Sequence, residues 1–476
     1  MKFIKFIIPI VLLFAFSYCR KDKGLTNYGN YPNEVGKIMV NQCATTGCHN
    51  AASAEAASGL NLSTWSDLFK GSRSGSPVIP YSSRFSSLCY FINSYNDLGP
   101  VNLPTMPING EKLSREEVQT IKNWIDAGAP DVNGNIKWSD NPNRKKLYVI
   151  NQGCDVVTVF DSETQLPMRV IDVGVDPNNI ESPHMVKVSP DGQYWYVVFT
   201  NSDKLQKFRC SDDQLVATVS LGANYDWNTM ILTDDGKKAF CVAWAINGHI
   251  AAVDVEQMKL IRNYGGYTQA HGVALNAAND MIYVTAQFGN YIYKLDTAFN
   301  NVWQISLNGL PPNGASSLDP HELLLSPDKT KFFVTCQNSN EVRVLDIASE
   351  TVTQVIPTGT YPLEMAIHVP TNRLFVTCEY DTNAGANGSV EVINMSTYST
   401  QNIKVGFLPH GLAVDESKKV LYVASRNIFS NGPAPHHTAM CAGRNGFINL
   451  IDVNTLQVLK KKTEVSVDPY GIAYRK

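Results

Sequence analysis

The carboxy-terminal part of this chain repeats one pattern seven times. Each repeat opens with a Pro-His-Gly-like step and an apolar strand, passes a Ser-Pro-Asp-Gly-like turn, and continues with a strand such as residues 421–424. Successive repeats begin 44, 43, 50, 42, 47 and 60 residues apart. Periods in the low forties with several short strands are typical of β-propeller blades. The repeats start at His184, Asn228, His271, His321, Leu363, His410 and Tyr470.

The two ends of the repeated region are incomplete in complementary ways. The segment that begins at residue 146 is a second strand without a first, and residues 469–474 are a first strand without a second. We therefore expect residues 146–476 to form a seven-bladed propeller whose last strand completes the first blade, because this removes an open sheet edge. The repeats resemble the YVTN family of bacterial surface propellers and, more broadly, lactonase-like propellers. This resemblance implies the fold but indicates little about the chemistry, since propellers have many different functions.

A second pattern lies near the amino terminus. Cys43 and Cys48 are separated by four residues, and His49 follows directly. Two cysteines followed by a histidine are the pattern that attaches a c-type haem, in which the thiols bind the porphyrin and the imidazole binds the iron. The commonest spacing has two residues between the cysteines. The alternatives are a disulfide between Cys43 and Cys48, or part of another metal site.

The segments around this motif favour haem attachment. Apolar residues at helical spacing over 35–39 predict a short amphipathic helix that ends at the motif. Met106 lies between two prolines on a loop that cannot be helical, and a helix capped by Ser114 and Glu117 follows it. The layout resembles the cytochrome c family over residues 33–131. That resemblance implies one covalent haem c with His49 as proximal and Met106 as distal iron ligand.

The expected fold class is therefore multidomain: a small all-α cytochrome c domain followed by an all-β seven-bladed propeller, with residues 132–145 as the linker. His49 is the only histidine before His184, so this region cannot supply two histidine ligands to one haem. A thioether ligand favours reduced iron, which implies one-electron transfer rather than oxygen binding. Met39 is the competing thioether, but it lies on the apolar helix face.

The first 18 residues predict a secretory signal peptide. Lys2 and Lys5 precede an apolar run that is too short to span a bilayer as a permanent helix. The run ends at Cys19, in a segment that resembles the lipobox of bacterial lipoproteins. The resemblance implies that Cys19 carries lipid and that residues 19–32 tether the protein to a membrane, in the periplasm or at the cell surface. The alternative is simple cleavage and release.

Charge and cysteine content limit the partners and the cross-links. The net charge of -3 gives no basis for a nucleic-acid partner. An exported protein is free to form disulfides. Of the ten cysteines, seven remain beyond Cys19, Cys43 and Cys48, so at least one stays free or binds something. They are Cys89, Cys154, Cys210, Cys241, Cys336, Cys378 and Cys441.

Four of the seven repeat starts are histidines: His184, His271, His321 and His410. Each precedes or opens the innermost strand of its blade, so we expect these side chains to line the mouth of the central channel, with Glu364 and Tyr470 nearby. Converging imidazoles predict a copper or other metal site. The alternative is that histidine simply fits the turn that leads into each blade. Three repeats lack histidine, which excludes a seven-histidine metal cluster.

The last full blade carries an insertion, residues 427–446. It contains Pro435, His436 and His437, followed by Cys441. Two histidines and a cysteine on a loop are able to bind a metal. The alternative is a stiff, proline-rich lid over the channel.

These patterns together predict an extracytoplasmic electron-transfer haemoprotein whose propeller is a platform for a substrate, a metal or a partner. The predicted partners are a redox protein, the membrane through the lipid anchor, and a small molecule. An oxidoreductase that passes electrons through the haem is the enzymatic version of this hypothesis. The alternative is a non-enzymatic surface-binding propeller with an accessory haem. A lactonase-like hydrolase is a third hypothesis, and it leaves the haem without a role.

Overall fold

The computed structural model describes residues 28–108, 110–381 and 388–476. The predicted signal peptide, Cys19 and the tether up to residue 27 lie outside the described residues. Within the described ranges, helical segments occur almost entirely before the first strand. The α-helices are α1 Asn33–Ile38, α2 Trp65–Leu68, α3 Ser87–Ile92 and α4 Arg115–Asp126. A π-helical turn, Met39–Cys43, continues α1, and 3-10 turns occupy Ser83–Phe85, Asn96–Leu98 and Val369–Thr371.

The rest of the described chain is β-structure. The strands before residue 300 are β1 Lys146–Asn151, β2 Val156–Asp161, β3 Leu166–Asp172, β4 Pro183–Val188, β5 Tyr194–Phe199, β6 Lys204–Arg209, β7 Leu215–Ser220, β8 Trp227–Leu232, β9 Lys238–Ala243, β10 His249–Asp254, β11 Lys259–Gly265, β12 Ala270–Leu275, β13 Met281–Ala286 and β14 Tyr291–Asp296. The later strands are β15 Val302–Ser306, β16 Pro320–Leu325, β17 Lys331–Cys336, β18 Glu341–Asp346, β19 Thr351–Pro357, β20 Pro362–His368, β21 Arg373–Cys378, β22 Ser389–Asn394, β23 Thr400–Lys404, β24 Pro409–Asp415, β25 Val420–Ser425, β26 Asn445–Asp452, β27 Val458–Val467 and β28 Pro469–Arg475.

These strands form seven four-stranded antiparallel sheets, which confirms the predicted seven-bladed propeller. Blade 1 has the strand order β28-β1-β2-β3, and blades 2 to 7 each use four consecutive strands, from β4–β7 to β24–β27. In blade 1 the last strand of the chain pairs with the first, with Leu147 opposite Tyr474 and Tyr148 opposite Ala473. The innermost strands of successive blades contact one another in a closed ring, in the order β28, β4, β8, β12, β16, β20, β24.

The second strand of each blade is apolar on both faces because neighbouring blades cover both sides. In β1 the side chains alternate between faces, as they must along a strand. Leu147 and Val149 pack in one cluster with Tyr422 of blade 7, whereas Tyr148 and Ile150 pack with residues of blade 2. All six residues of β1 are buried. Short polar turns join the strands, as where the Ser189 hydroxyl donates to Asp191 at 2.5 Å.

The prediction of a separate all-α cytochrome c domain is wrong, and the protein is nearly all β-propeller. The stretch before β1 has one helix longer than six residues, the 12-residue α4, and much of the rest is turn and irregular chain. Its apolar side chains do not form a core of their own. Val35, Leu68 and Trp138 belong to the same buried cluster as Tyr148 and Trp195 of blades 1 and 2. A few short helices present too little apolar surface to close a core, so the region completes its core against the propeller.

Two local predictions in this region are confirmed. Helix α4 begins with a capping box, in which the Ser114 hydroxyl accepts from the Glu117 backbone and the Glu117 carboxylate accepts from the Ser114 backbone. Its apolar face, with Val118, Ile121 and Trp124, is buried. Helix α1 buries the face that carries Val35 and Ile38, and the π-helical turn that continues it ends at Cys43, the first residue of the motif.

The amino-terminal stretch is fastened to blades 1 and 7. The Ser76 hydroxyl donates to the Pro167 carbonyl of β3 at 2.7 Å, and Arg84 pairs with Asp172 at 3.2 Å.

A disulfide joins Cys154, in the turn after β1, to Cys441. Cys441 lies in the connection between β25 and β26, residues 426–444, which we call the insertion loop. The disulfide therefore ties the insertion loop to blade 1.

Candidate functional site

The structure brings the four histidines of the repeat starts together at one end of the central channel. The ring centroids of His184 and His271 are 6.2 Å apart, those of His271 and His321 3.9 Å, and those of His321 and His410 6.1 Å. Tyr470 closes the circle, at 4.3 Å from His184 and 3.6 Å from His410. All five side chains line a single cavity at the channel mouth.

A repeated backbone step places these side chains. In every blade the residue just before the innermost strand has a positive φ, between 47° and 66°. These residues are Ser182, Asp226, Gln269, Asp319, Tyr361, Leu408 and Asp468. The left-handed step occurs whether the ring position two residues later is histidine or is Asn228, Leu363 or Tyr470. The turn therefore does not require histidine, which argues against the interpretation that the histidines merely fit the turn.

Burial keeps the four imidazoles neutral at neutral pH. It lowers the pKa of His271 to about 4. Burial, with a smaller contribution from neighbouring charged groups, also holds the pKa values of His184, His321 and His410 well below their ordinary value. The rings pack against one another around the channel mouth. Within the described ranges, no group of three or more His, Cys, Asp or Glu side chains is arranged to hold a metal ion. A metal ion in the channel is therefore still a prediction, and no set of ligands for it is identified among the described residues.

A second ring of side chains, which the sequence analysis missed, surrounds the first. Its members each follow the second strand of their blade: Gln152, Thr200, Trp244, Gln287, Gln337, Glu379 and Arg426. The Trp244 indole donates to the Gln287 amide oxygen, and the Gln287 amide donates to Gln337 at 2.8 Å. The sequence contains a signal for this ring, because each of these residues occupies the same position after a Tyr-Val-Thr-like strand.

Arg426 is the cation of this outer ring, and two carboxylates already pair with it. Its guanidinium donates to both carboxylate oxygens of Asp468, at 2.7 and 3.1 Å, and to Glu379 at 3.1 Å. It also lies 4.8 Å from the centroid of the Tyr470 ring. Bidentate pairing of this kind fixes the guanidinium in place.

The two rings enclose an open cavity of about 320 Å³. Burial raises the pKa of Asp226, which lines the cavity, to about 6, and it also raises the pKa of Asp319, which precedes the innermost strand of blade 5. One residue further along the innermost strands, Glu322 and Glu364 come close together. Burial raises the pKa of Glu322, and the charge of Glu364 raises it further. The ring position in that blade belongs to Leu363, so Glu364 lies deeper than the mouth.

The predicted haem motif forms a compact turn at the end of the π-helical segment. The His49 backbone donates to the Cys43 carbonyl at 3.1 Å, and the Cys48 backbone to Thr45 at 3.0 Å. Both thiols are free, so the disulfide alternative for Cys43 and Cys48 is wrong. Cys43 is buried and Cys48 is exposed. Nδ1 of His49 is buried, and the backbone of Leu60 forms a hydrogen bond with the imidazole.

The motif and the Met106 loop lie at the same end of α4. The Gln42 amide, next to Cys43, donates to the Glu117 carboxylate in the first turn of α4 at 2.5 Å. Lys112, just before that turn, donates to the Pro107 carbonyl at 2.7 Å. The loop also exposes apolar surface, because Leu103 is 83% exposed and Ile108 56%. The structure records no contact that joins His49 to Met106 among the described residues.

The insertion loop connects this region to the channel mouth. The Asn102 amide, four residues before Met106, donates to the His436 carbonyl at 3.3 Å. The backbone amides of His436 and His437 donate to Glu464 at 2.7 and 3.0 Å. Cys441 forms the disulfide with Cys154, so the interpretation of Cys441 as a metal ligand is wrong. Arg426 of the outer ring stands at the start of this loop.

Comparison with known proteins bears on the propeller. Residues 141–367 match the family model of the choice-of-anchor I domain. That range runs from just before β1 into β20, and it excludes the amino-terminal stretch and the insertion loop. The match supports an exported or cell-surface protein, while the lipid anchor stays a prediction. No helix in the described ranges combines the length and the apolar character needed to cross a bilayer.

One solved structure of similar shape agrees with the fold, and a second shows a weaker likeness. A functionally unknown protein from Desulfotomaculum acetoxidans is 14% identical, with a TM-score of 0.53, and the match covers 69% of this chain and 98% of that one. Hydrazine synthase from Kuenenia stuttgartiensis is 15% identical, with a TM-score of 0.47 and coverages of 63% and 90%. At these identities the likeness concerns the fold alone. No curated protein matches the chain.

Proposed function

We propose that this protein is an exported electron-transfer haemoprotein, with one haem c bound covalently through Cys43 and Cys48 and its iron held by His49 and Met106. The observation that carries the proposal is the pair of unbridged thiols directly before His49, in a turn fixed by backbone hydrogen bonds. When bound, such a haem supplies one-electron transfer. The separate all-α domain is not needed, since the motif is supported by the core shared with blades 1 and 2.

The residues around the motif fit a porphyrin. Val40, Ala44 and Leu60 are only partly buried at the edge of the shared core, and Leu103 and Ile108 are exposed on the Met106 loop. These apolar side chains are stabilised when an apolar ring covers them. Cys48 is exposed, which leaves it open to the maturation machinery, while Cys43 is anchored in the core. The chain thus holds the two attachment points and orients His49 from a turn fixed by backbone hydrogen bonds.

The test is the haem content of protein produced in a host that matures c-type cytochromes. We expect one iron per chain and a pyridine haemochrome spectrum of a thioether-bound haem. Cys48→Ala and His49→Gln should each lose most of this absorbance, whereas Cys89→Ala, which removes a buried free thiol elsewhere in the same region, should retain it. Met106→Leu should keep the covalent haem but lower its reduction potential. Colourless wild-type protein would overturn the proposal.

A further inference from the structure

The channel mouth contains polar atoms that the protein leaves unused. Among the described residues, both amide atoms of Asn228, Nδ1 of His321, Nδ1 of His410 and Oδ2 of Asp319 are buried without a hydrogen-bond partner. The four side chains are 1–3% exposed. Asn228, His321 and His410 line the 320 Å³ cavity, and Asp319 directly precedes the innermost strand of blade 5. A buried polar group without a partner destabilises the folded protein, and hydrogen bonds from a bound molecule remove that penalty.

The unused atoms include donors and acceptors in a small volume. The Asn228 amide offers both, and a neutral imidazole has one nitrogen of each kind. A matching molecule must therefore present several groups that both donate and accept, which is the property of a hydroxyl.

The charges at the mouth exclude an anion. Arg426 is the cationic side chain among the cavity-lining residues, and the carboxylates of Asp468 and Glu379 already pair with its charge. The four histidines carry no charge at neutral pH, because burial lowers their pKa values. Asp226, which lines the cavity, has no ion-pair partner within the described ranges. A carboxylate or phosphate ligand would meet this acidic group without an unpaired cation.

The geometry also disfavours a metal ion or a compact organic cation. No set of ligands for a metal ion exists in the described ranges. Asp226 and Asp319 precede the innermost strands of blades 3 and 5, with blade 4 between them, so their carboxylates do not converge on one point. The rim adds the rings of Trp244, Tyr380 and Tyr470. Aromatic faces pack well against the C–H face of a ring-shaped polyol.

We propose that the channel mouth binds a neutral polyhydroxylated small molecule of about the size of a monosaccharide. Cavities of roughly 300 Å³ and above are typical of small-molecule sites. The hydroxyls pair with Asn228, His321 and His410, and one face of the ring packs on the aromatic rim. This inference goes beyond the proposed electron transfer and does not need the haem, because no contact between these three residues and the Cys43 motif is recorded among the described residues.

The test is calorimetry of the full exported chain with three probes of the same shape: glucose as the neutral form, glucuronate as the anion and glucosamine as the cation. N-acetylglucosamine serves as a second neutral probe. We expect one neutral sugar bound per chain, and binding at least about tenfold weaker for both charged probes. Asn228→Ala and His410→Gln should each weaken the neutral sugar by about tenfold or more.

Controls separate loss of binding from loss of fold. Asn143→Ala removes an exposed asparagine of the linker and should bind as wild type. Asn228→Ala should melt close to wild type, because the amide makes no hydrogen bond that the substitution breaks. Tighter binding of glucosamine or glucuronate, no binding of either neutral sugar at millimolar concentration, or unchanged binding in both variants would overturn the inference. Haem content is measured on the same samples, so failure of one proposal is distinguishable from failure of the other.

Discussion

At the scale of single residues, the histidine ring links stability to pH. The pKa of His271 is lowered by burial from an ordinary value of 6.5 to about 4, because the charged form would lose its hydration inside the channel mouth. The unfolded chain takes up the proton at the ordinary value, and the folded chain takes it up only at the lowered one. This histidine therefore leaves the free energy of unfolding unchanged above pH 6.5, and it lowers that free energy progressively as the pH falls from 6.5 toward 4.

Replacing His271 should therefore flatten the pH dependence of stability. Each such histidine contributes a slope of about 1.4 kcal/mol per pH unit within its window. We expect His271→Gln to reduce the slope of the unfolding free energy by about that amount between pH 4 and 6.5, as measured by urea unfolding. Asn228→Ala changes a ring position that does not titrate and should keep the wild-type slope. An unchanged slope in His271→Gln would show that its imidazole is already protonated in the folded protein.

At the scale of elements, the insertion loop joins three parts of the molecule. It begins at Arg426 at the channel mouth and accepts a hydrogen bond from Asn102 near the Met106 loop. The disulfide links it to the turn after β1. The bonded cysteines are 287 residues apart in sequence. A cross-link over so long a loop restricts the unfolded chain strongly, and removing a native disulfide typically costs about 2–5 kcal/mol.

The double variant Cys154→Ala/Cys441→Ala should accordingly lose about 2–5 kcal/mol of unfolding free energy. A reductant should produce a comparable loss in the wild-type protein and no further loss in the variant. Cys336→Ala/Cys378→Ala removes two buried free thiols from β17 and β21 and serves as the control. That pair should remain sensitive to the reductant. Equal sensitivity of the Cys154→Ala/Cys441→Ala variant would show that another disulfide carries the effect.

At the scale of the whole molecule, the closure of the ring depends on the last strand. β28 supplies the innermost strand of blade 1 and touches the innermost strands of blades 7 and 2. Arg475 near its end is 4% exposed, and it donates to the Pro142 carbonyl at 2.9 Å and to Cys210 of blade 2 at 3.3 Å. Without β28 the apolar faces of two blades and an edge of β1 face water.

Removal of residues 468–476 should therefore abolish most of the stability, which for domains is about 5–15 kcal/mol. We expect the truncated chain to lack a cooperative thermal transition in circular dichroism and to aggregate. Deletion of Lys476 alone, which is exposed, should leave the transition unchanged. A truncated chain that melts within a few degrees of wild type would contradict a ring closed by β28.

The repeated pattern was enough to predict the seven blades and the inner ring at the mouth. Strand alternation and turn residues are local, and a period near 43 residues leaves few alternatives to a closed ring. The capped helix α4 was equally readable, because its capping box and apolar face lie within fourteen residues. His184, His271, His321 and His410 could be assigned to one ring because each stands at the same repeat position.

The sequence by itself determined these elements because their signals are short-range and periodic. Only the tertiary structure decided that the amino-terminal helices share a core with blades 1 and 2. It also decided that Cys441 pairs with Cys154, and that Arg426 forms ion pairs with Glu379 and Asp468. Each of these depends on contacts between segments distant along the chain. Such contacts depend on which segments share apolar surface and on which charges are still unpaired once the blades have closed. A local pattern of residues contains no information about either.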